Sequence, residues 1–242
     1  MRLNIFILGL LISFVTVAQK SIKYKYNGNK YYCYIIEVNN DAIGKLRIIE
    51  NDTGIPHKKL VEQIKSRNKN TFLTTASSVK QNYKPVGLYI DNYVERTNIN
   101  LANGNGNFYL KPNGVLVVTN NTIDVCQTAE INKYNSLKYA IQSGPMLVTN
   151  KVINENFNIN SVNKRVRSAV GVFTKKNKKY IVFSLSAQKV TFYDFSEFFL
   201  NKLHCDNALC LESVRSVMSI PRIKNKTDNT TDVTYRYIIY EK

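Results

Sequence analysis

The chain has 242 residues, of which 34 are Lys or Arg and 17 are Asp or Glu, so its formal net charge is +17. This length can bury a sizeable core, and apart from its charge the composition is ordinary for a globular protein. The positive charge favours anionic partners such as phosphates, acidic glycans or a membrane surface. The lysines are scattered and no basic helix is evident, so we favour the interpretation that they are solvated surface residues. No specific nucleic-acid partner is expected.

The N-terminus has the three parts of a secretory signal peptide. Arg2 gives a positive start, residues 5–17 form an apolar run, and residues 16–18 (Thr-Val-Ala) are small enough for a signal peptidase. The run is shorter than the ~20 residues that span a bilayer, which favours cleavage over a membrane anchor. We therefore expect an exported protein, periplasmic or secreted, with a signal peptide at 1–18, no stable membrane anchor after cleavage and a single domain at 19–242.

The four cysteines, Cys33, Cys126, Cys205 and Cys210, all follow the signal segment. In an oxidising compartment they permit two disulfides in any of three connectivities. Cys205 and Cys210 are alternatively buried thiols, because residues 209–211 resemble a core strand. With only two histidines and no short-spaced cysteine pairs, a zinc site is not expected. No cofactor is predicted, and metal dependence stays open because a carboxylate and loop oxygens can hold a divalent ion.

In chain order, the residue pattern predicts mostly strands. The predicted strands are 24–26 and 31–38 (a hairpin around Asn27-Gly28), 45–50, 72–76, 87–90, 115–119, 139–141, 166–173 and 180–185 (a hairpin with a lysine-rich tip), 209–211 and 233–240. Helices are predicted at 56–66 and at 195–203, the second with an aromatic stripe that belongs to the core. Polar loops are expected at 77–84 and 225–232, and residues 108–110 lead into a turn at 111–114. The pattern predicts a β-rich α+β fold of mixed or antiparallel sheet with a few packed helices.

Familiar catalytic signatures are absent from the sequence. It has no GxxxxGK phosphate loop, no nucleophile elbow and no metalloprotease helix. Neither His57 nor His204 has a sequence context that favours a catalytic triad. General acid–base chemistry would therefore fall to carboxylates, and phosphate recognition to Arg, hydroxyls and backbone N–H groups at glycine turns.

Four segments, in this order, resemble a known family. They are YKPVGLY (83–89), GNFYLKPNGV (106–115), QSGPMLV (142–148) and CDNALCLE (205–212). They look like the phosphodiester glycosidase family, the domain of the N-acetylglucosamine-1-phosphodiester alpha-N-acetylglucosaminidase or "uncovering enzyme", in its short bacterial branch of formerly unknown function. The resemblance runs from about residue 72 to 221. It implies a phosphodiester glycosidase-like fold and hydrolysis of the glycosidic bond in a sugar-1-phosphodiester.

The resemblance also implies a site. Glu212 stands at the family's Asp and Arg167 at its arginine, so these are the implied catalytic residues. The implied substrate-binding residues are Gln142, Ser143 and Gly144 of the QSGP turn, Asn107 of the GNF segment, Ser216 and Thr75. A bidentate Arg suits a singly charged phosphodiester, and a carboxylate can stabilise positive charge at the sugar carbon or direct water.

Two loops depart from the family pattern. The family's Asp and two glycines are replaced by Glu212, Ser213 and Val214, and its NAGM loop is replaced by residues 75–78. Arg215, in place of an apolar residue, could pair with Glu212. The leading hypothesis is an exported hydrolase of a sugar-phosphate diester. The alternatives are a catalytically silent member that binds anionic or phosphorylated glycans, and a basic protein that binds polyanions through its general charge.

Overall fold

A computed structural model describes residues 19–77 and 84–242, so the predicted signal peptide and most of the predicted loop at 77–84 lie outside the described residues. The helices are α1 (Asn40–Lys45), α2 (His57–Arg67) and α3 (Phe192–Glu197), which a π-helical turn at Phe198–Lys202 continues. Short 3-10 turns lie at Asn107–Tyr109, Thr128–Lys133 and Lys226–Asn229. The strands are β1 (Gln19–Tyr26), β2 (Asn29–Glu37), β3 (Leu46–Glu50), β4 (Phe72–Thr75), β5 (Tyr89–Asp91), β6 (Val94–Thr97), β7 (Gly114–Val118), β8 (Ile123–Gln127), β9 (Tyr139–Ser143), β10 (Met146–Thr149), β11 (Val152–Ile153), β12 (Ser168–Lys175), β13 (Lys178–Ser186), β14 (Asn207–Glu212), β15 (Met218–Ser219) and β16 (Arg236–Tyr240).

The strands form three sheets. The orders are β1-β2-β13-β12-β14-β10-β11, β15-β4-β16-β3 and β6-β5-β9-β7-β8. Each pairing between these strands is antiparallel. The β-rich α+β prediction is therefore confirmed, with antiparallel sheets.

Two hairpins build the larger part of the seven-stranded sheet. Asn27 and Gly28 join β1 to β2 with φ values of 44° and 73°. Lys176 and Asn177 join β12 to β13 with φ values of 49° and 60°. Positive φ at both central residues is the conformation that matches a two-residue turn to the twist of its strands. Both predicted hairpins are confirmed.

The seven-stranded sheet is covered on both faces. One face shares a hydrophobic core with the other two sheets, to which Leu116, Phe183 and Ile238 contribute. The other face packs against α3 and the turn that follows, where Phe195, Phe198 and Phe199 are fully buried. The aromatic stripe is therefore core, as predicted.

Alternation along the strands gives the smaller sheets two apolar faces each. In β7, Leu116 belongs to the central core, whereas Val115 and Val117 belong to a separate outer cluster. Successive side chains of a strand point to opposite faces, which explains this division. The predicted helix at 56–66 is α2, and its Val61 packs on the outer face of the four-stranded sheet. Within the described ranges, no helix is both long and apolar enough to cross a bilayer.

Some expectations differ from the structure. Residues 107–109 form a 3-10 turn, and the predicted loop at 225–232 contains another, which begins where Asn225 Oδ1 accepts a hydrogen bond from Thr227 N–H. Asn, Asp and Thr favour helix caps as well as loops, so composition could not separate the two. All four cysteines are buried free thiols, so the two-disulfide alternative is not found, and Cys205 and Cys210 are buried thiols.

Candidate functional site

The candidate site is built around the segment that follows β14, which we call the 212–217 loop. Glu212 ends the strand, and its Oε1 accepts hydrogen bonds from the backbone N–H groups of Ser213 (2.7 Å) and Val214 (2.8 Å). Neither residue has a positive φ, so the loop needs no glycine in its present conformation. One carboxylate oxygen of Glu212 therefore closes the loop that the family pattern builds with a glycine pair.

Hydroxyl groups from distant segments hold the backbone of this loop. Ser143, the last residue of β9, donates from Oγ to the carbonyl of Leu211 at 3.0 Å. Thr75, the last residue of β4, donates to the carbonyl of Arg215 and accepts from Val217 N–H, both at 3.1 Å. These bonds fix the loop against two other sheets.

Ser216 ties the same loop to β12. Its Oγ donates to the carbonyl of Glu212 at 2.8 Å and accepts from the N–H of Ser168 at 3.1 Å. Ser168 is also the cross-strand partner of Glu212. Arg167 precedes Ser168, so the two predicted catalytic residues lie at the same end of neighbouring strands.

Arg167 is fully buried, with 0% of its surface exposed. Its Nε donates to the carbonyl of Val190 and its Nη2 to that of Asn163, both at 3.0 Å. Its guanidinium carbon lies 3.7 Å from the ring centroid of Phe192. Nη1 is buried and has no hydrogen-bond partner in the part of the chain that the structure describes. The side chain is thus rigidly held while one of its donor groups is unused.

The charge of Arg167 is not neutralised by contact. Among the ion pairs formed by residues 19–77 and 84–242, none includes Arg167, Glu212 or Arg215. Asp194 acts on Arg167 through space, but its carboxylate accepts the N–H of Thr191 at the start of α3. Burial lowers the pKa of the Arg167 guanidinium. A buried cation without a contacting anion is costly in free energy.

Cys210 lies near both predicted catalytic residues, and its thiol is unreactive. Its Sγ is 3.3 Å from Ser213 Oγ, and its titration responds to the charges of both Arg167 and Glu212. Burial raises the pKa of this thiol to about 11. It therefore stays protonated at neutral pH and does not serve as a nucleophile.

The structure places the Gln142 side chain away from this group. Its Oε1 accepts from the N–H groups of Leu88 and Asn100, and its Nε2 donates to Asn100 O and Thr128 Oγ1. A Cβ on Gly87 would lie 2.3 Å from Oε1, so glycine permits this approach. Because Gln142 and Ser143 are consecutive in β9, they point to opposite faces of the sheet. The Gln142 amide therefore holds Leu88 and Asn100, in the segment between β4 and β7. Ser143, not Gln142, contacts the strand that leads into the loop.

Gly144 is buried next to the turn that carries Asn107. A Cβ on Gly144 would come within 2.7 Å of the Phe108 carbonyl oxygen, so the QSGP turn packs directly on the 3-10 turn that Asn107 begins. Pro145 continues the link, because its carbonyl accepts the N–H of Cys210 at 3.0 Å. Asn107 is half-buried, beside the turn rather than within the loop contacts.

Sequence reasoning missed several groups of the site. Ser168 Oγ is buried and without a partner among the described residues, and Phe192 lies against the guanidinium. The carbonyls of Asn163 and Val190 are backbone groups, so the identity of these two residues gives no indication that they bind Arg167. The only available signal was the Thr191–Asp194 pair, a capping box that marks the start of α3 beside Phe192. No group of three or more His, Cys, Asp or Glu that could hold a metal ion occurs in the described ranges.

Comparisons with known proteins identify a relative in sequence and two structures of similar fold. A protein of Escherichia coli described as "Uncharacterized protein YigE" is 33% identical over 159 residues, which are 66% of this chain and 61% of that protein, less than two thirds of its length. The catalytic domain of zebrafish N-acetylglucosamine-1-phosphodiester alpha-N-acetylglucosaminidase, solved in a form auto-inhibited by its pro-peptide, superposes with a TM-score of 0.55 and 14% identity, covering 93% of this chain and 82% of that one. A hypothetical protein from Synechocystis has a TM-score of 0.60 and 12% identity, covering 93% of this chain and 62% of that one.

A match to a family model assigns the chain to a family. The model of the phosphodiester glycosidase family matches residues 64–229, a range that includes Thr75, Asn107, the QSGP turn, Arg167 and the whole 212–217 loop. The chain therefore belongs to the phosphodiester glycosidase family, a family of glycosidase-type hydrolases.

Proposed function

We propose that this chain is an exported hydrolase that cleaves the glycosidic bond of a sugar-1-phosphodiester, releasing the sugar and leaving the phosphate on the other partner. The observation that carries the proposal is the buried Arg167, whose Nη1 has no hydrogen-bond partner and whose charge has no contacting carboxylate among the described residues. A phosphodiester oxygen would supply both a charge-assisted hydrogen bond and the counter-charge.

Glu212 supplies the carboxylate in this proposal. Its Oε1 is held by two loop N–H groups, which orients the second oxygen for the substrate. The bond between the sugar carbon and the phosphate oxygen breaks with its electron pair going to phosphate, while positive charge grows on the sugar carbon beside the carboxylate. Water then bonds to that carbon, and its proton passes to Glu212 or to the phosphate. Phosphate leaves readily, so a strong general acid is less necessary.

The other predicted site residues act on the loop in this proposal. Thr75, Ser143 and Ser216 hold the loop backbone that carries Glu212. A displacement of about 1 Å at a reacting group can cost roughly 100-fold in rate, so such positioning matters. Gly144 allows the QSGP turn to pack against the 3-10 turn that Asn107 begins.

The test is an assay of the chain without residues 1–18 on an aryl phosphodiester of N-acetylglucosamine 1-phosphate. We expect turnover in the wild type and a loss of about 100-fold or more in Glu212→Gln and in Arg167→Lys, as for the removal of a transition-state contact. Exposed Glu155→Gln and Arg165→Lys are matched controls that keep full activity. A wild type without turnover, or site variants as active as the controls, contradicts the proposal.

A second candidate function is that of a silent member that binds phosphorylated glycans. The specific observation is that the N–H groups of Ser213 and Val214 donate to Glu212 Oε1, so they are not available to a ligand. A glycine pair at these two positions would let the backbone approach a ligand. Saturable glycan-phosphate binding without turnover, abolished by Arg167→Ala, is the result that distinguishes it.

Export is the part of the proposal that rests on residues 1–18. Their positive start, apolar run and small residues at 16–18 fit a cleaved signal peptide. N-terminal sequencing of the protein recovered from the cell envelope or medium is expected to begin at Gln19. A recovered chain that begins at Met1, or one confined to the cytoplasm, contradicts it.

A further inference from the structure

A cavity of about 260 Å³ lies at the other end of the four-stranded sheet from the 212–217 loop. Antiparallel β4 and β15 connect the two places, since Thr75 and Val217 meet at the loop while Asn70 and Pro221 line the cavity. At about 3.3 Å per strand residue, the five steps from Thr75 to Asn70 span roughly 16 Å. The cavity is therefore separate from the candidate site.

The rim of this cavity is positively charged. Lys20, Arg222 and Lys242 line it with exposed side chains, and none of the described residues that line it is Asp or Glu. None of these three side chains takes part in an ion pair with another described residue. Ser21 and Asn70 add hydrogen-bonding groups to the lining. We call this feature the basic cavity.

The backbone at Arg222 determines which substitution can test the basic cavity. Ile223 N–H donates to the carbonyl of Ile220 at 3.2 Å, which closes a turn with Pro221 and Arg222 at its centre. Arg222 has a φ of 64°, at the third turn position, where glycine or asparagine is favoured. An arginine held there costs conformational energy that glycine would avoid. Arg222→Gly therefore removes the guanidinium and also suits the turn.

We propose that the basic cavity binds the phosphate of a small phosphate monoester, independently of the hydrolysis proposed above. A phosphate monoester carries close to two negative charges at neutral pH, which matches several unpaired cations better than a singly charged carboxylate does. The guanidinium of Arg222 can make two parallel hydrogen bonds to its oxygens. The small volume limits the occupant to the phosphate and a short part of its carrier.

The test is a titration of the chain without residues 1–18 with inorganic phosphate at constant ionic strength, followed by NMR. We expect saturable shifts at Lys20, Asn70 and Arg222, and little response to acetate. Arg222→Gly is expected to weaken phosphate binding at least tenfold without lowering the melting temperature, because glycine suits the turn. Arg167→Lys is expected to leave these shifts unchanged, which separates the basic cavity from the candidate site.

Lys176→Gly is the matched control. It also removes an exposed cation from a residue with positive φ (49°), but in the β12–β13 turn. Its phosphate affinity is expected to stay within twofold of the wild type. Equal losses in Arg222→Gly and Lys176→Gly would show binding through general charge, and shifts that do not saturate or that acetate reproduces would also overturn the proposal.

Discussion

The guanidinium carbon of Arg167 lies 3.7 Å from the ring centroid of Phe192, the first residue of α3. Phe192 in turn stacks on Phe157, at a centroid distance of 5.1 Å. Phe157 belongs to the same connection as Asn163, whose carbonyl accepts from Arg167 Nη2. The residues that pack against α3 therefore also orient the guanidinium of Arg167.

Replacing this ring tests whether the packing controls binding. Phe192→Leu removes a cation–π contact worth about 0.5–2 kcal/mol, so the affinity for a sugar phosphodiester should fall about 2- to 30-fold. Phe192→Tyr keeps the ring face and should bind like the wild type. Calorimetric titration measures both. Equal affinities for the leucine variant and the wild type would mean that the ring does not orient the guanidinium.

The close contact at Gly144 predicts a loss of stability. In Gly144→Ala the new Cβ would lie 2.7 Å from the Phe108 carbonyl oxygen, so backbone must move. Overpacking of this kind costs about 1–3 kcal/mol, measurable as a lower free energy of unfolding in urea. Gly44→Ala in α1 is the control, because nothing lies within 4 Å of its Cβ and alanine favours a helix. Equal stabilities for the two variants would refute the packing argument.

His57 predicts a pH dependence of folding. The ring is fully buried, and burial lowers its pKa to about 4. Between that value and the ordinary ~6.5, the unfolded chain binds a proton that the folded chain does not. The free energy of unfolding should therefore fall as pH drops through this window, by up to ~1.4 kcal/mol per pH unit.

His57→Gln removes this titration, so its unfolding free energy should depend less on pH between 6.5 and 4. Exposed His204→Gln should keep the wild-type slope. Urea unfolding at a series of pH values provides the comparison. A His57→Gln slope equal to that of the wild type would assign the pH dependence to other groups.

Restoring the family pattern in the loop separates the two candidate functions. In the variant that combines Glu212→Asp, Ser213→Gly and Val214→Gly, the two loop N–H groups can turn toward a ligand. If the wild type is the silent member, this variant should gain turnover of the phosphodiester from an undetectable level. If the wild type is already a hydrolase, the gain should be less than tenfold. The Ser213→Gly, Val214→Gly pair, which keeps Glu212, shows whether the carboxylate or the backbone limits the rate.

Local patterns in the sequence were sufficient for most strands, because period-two alternation and turn residues mark them directly. Asn27-Gly28 predicted the first hairpin, and the structure confirms it. Strand β6 (Val94–Thr97) was missed because it is an exposed edge with charged residues and has no apolar pattern to detect. The short helix α1 (Asn40–Lys45) was missed because six residues, of which only Ala42 and Ile43 are buried, are too few to show a helical period.

The site was accessible only through the family resemblance. Its motifs named Ser143 and Gln142 together, but neighbours in a strand face opposite sides. Of the two side chains, only that of Ser143 bonds to the strand leading into the loop, at Leu211. The suggested pairing of Arg215 with Glu212 is not present among the ion pairs of the described residues. Instead the longer Glu212 side chain reaches its own loop backbone, which depends on loop geometry that a residue list does not contain.

The loop is held at its ends by hydroxyls that belong to other strands, whereas the side chains of Val214 and Arg215 at its tip are exposed. Substitutions at the tip can therefore accumulate in descendants of one ancestral gene without disturbing the fold. A few such substitutions can change the groups that the loop presents to solvent while the strands that hold it stay the same. The fold can thus tolerate change at the loop tip with little loss of stability.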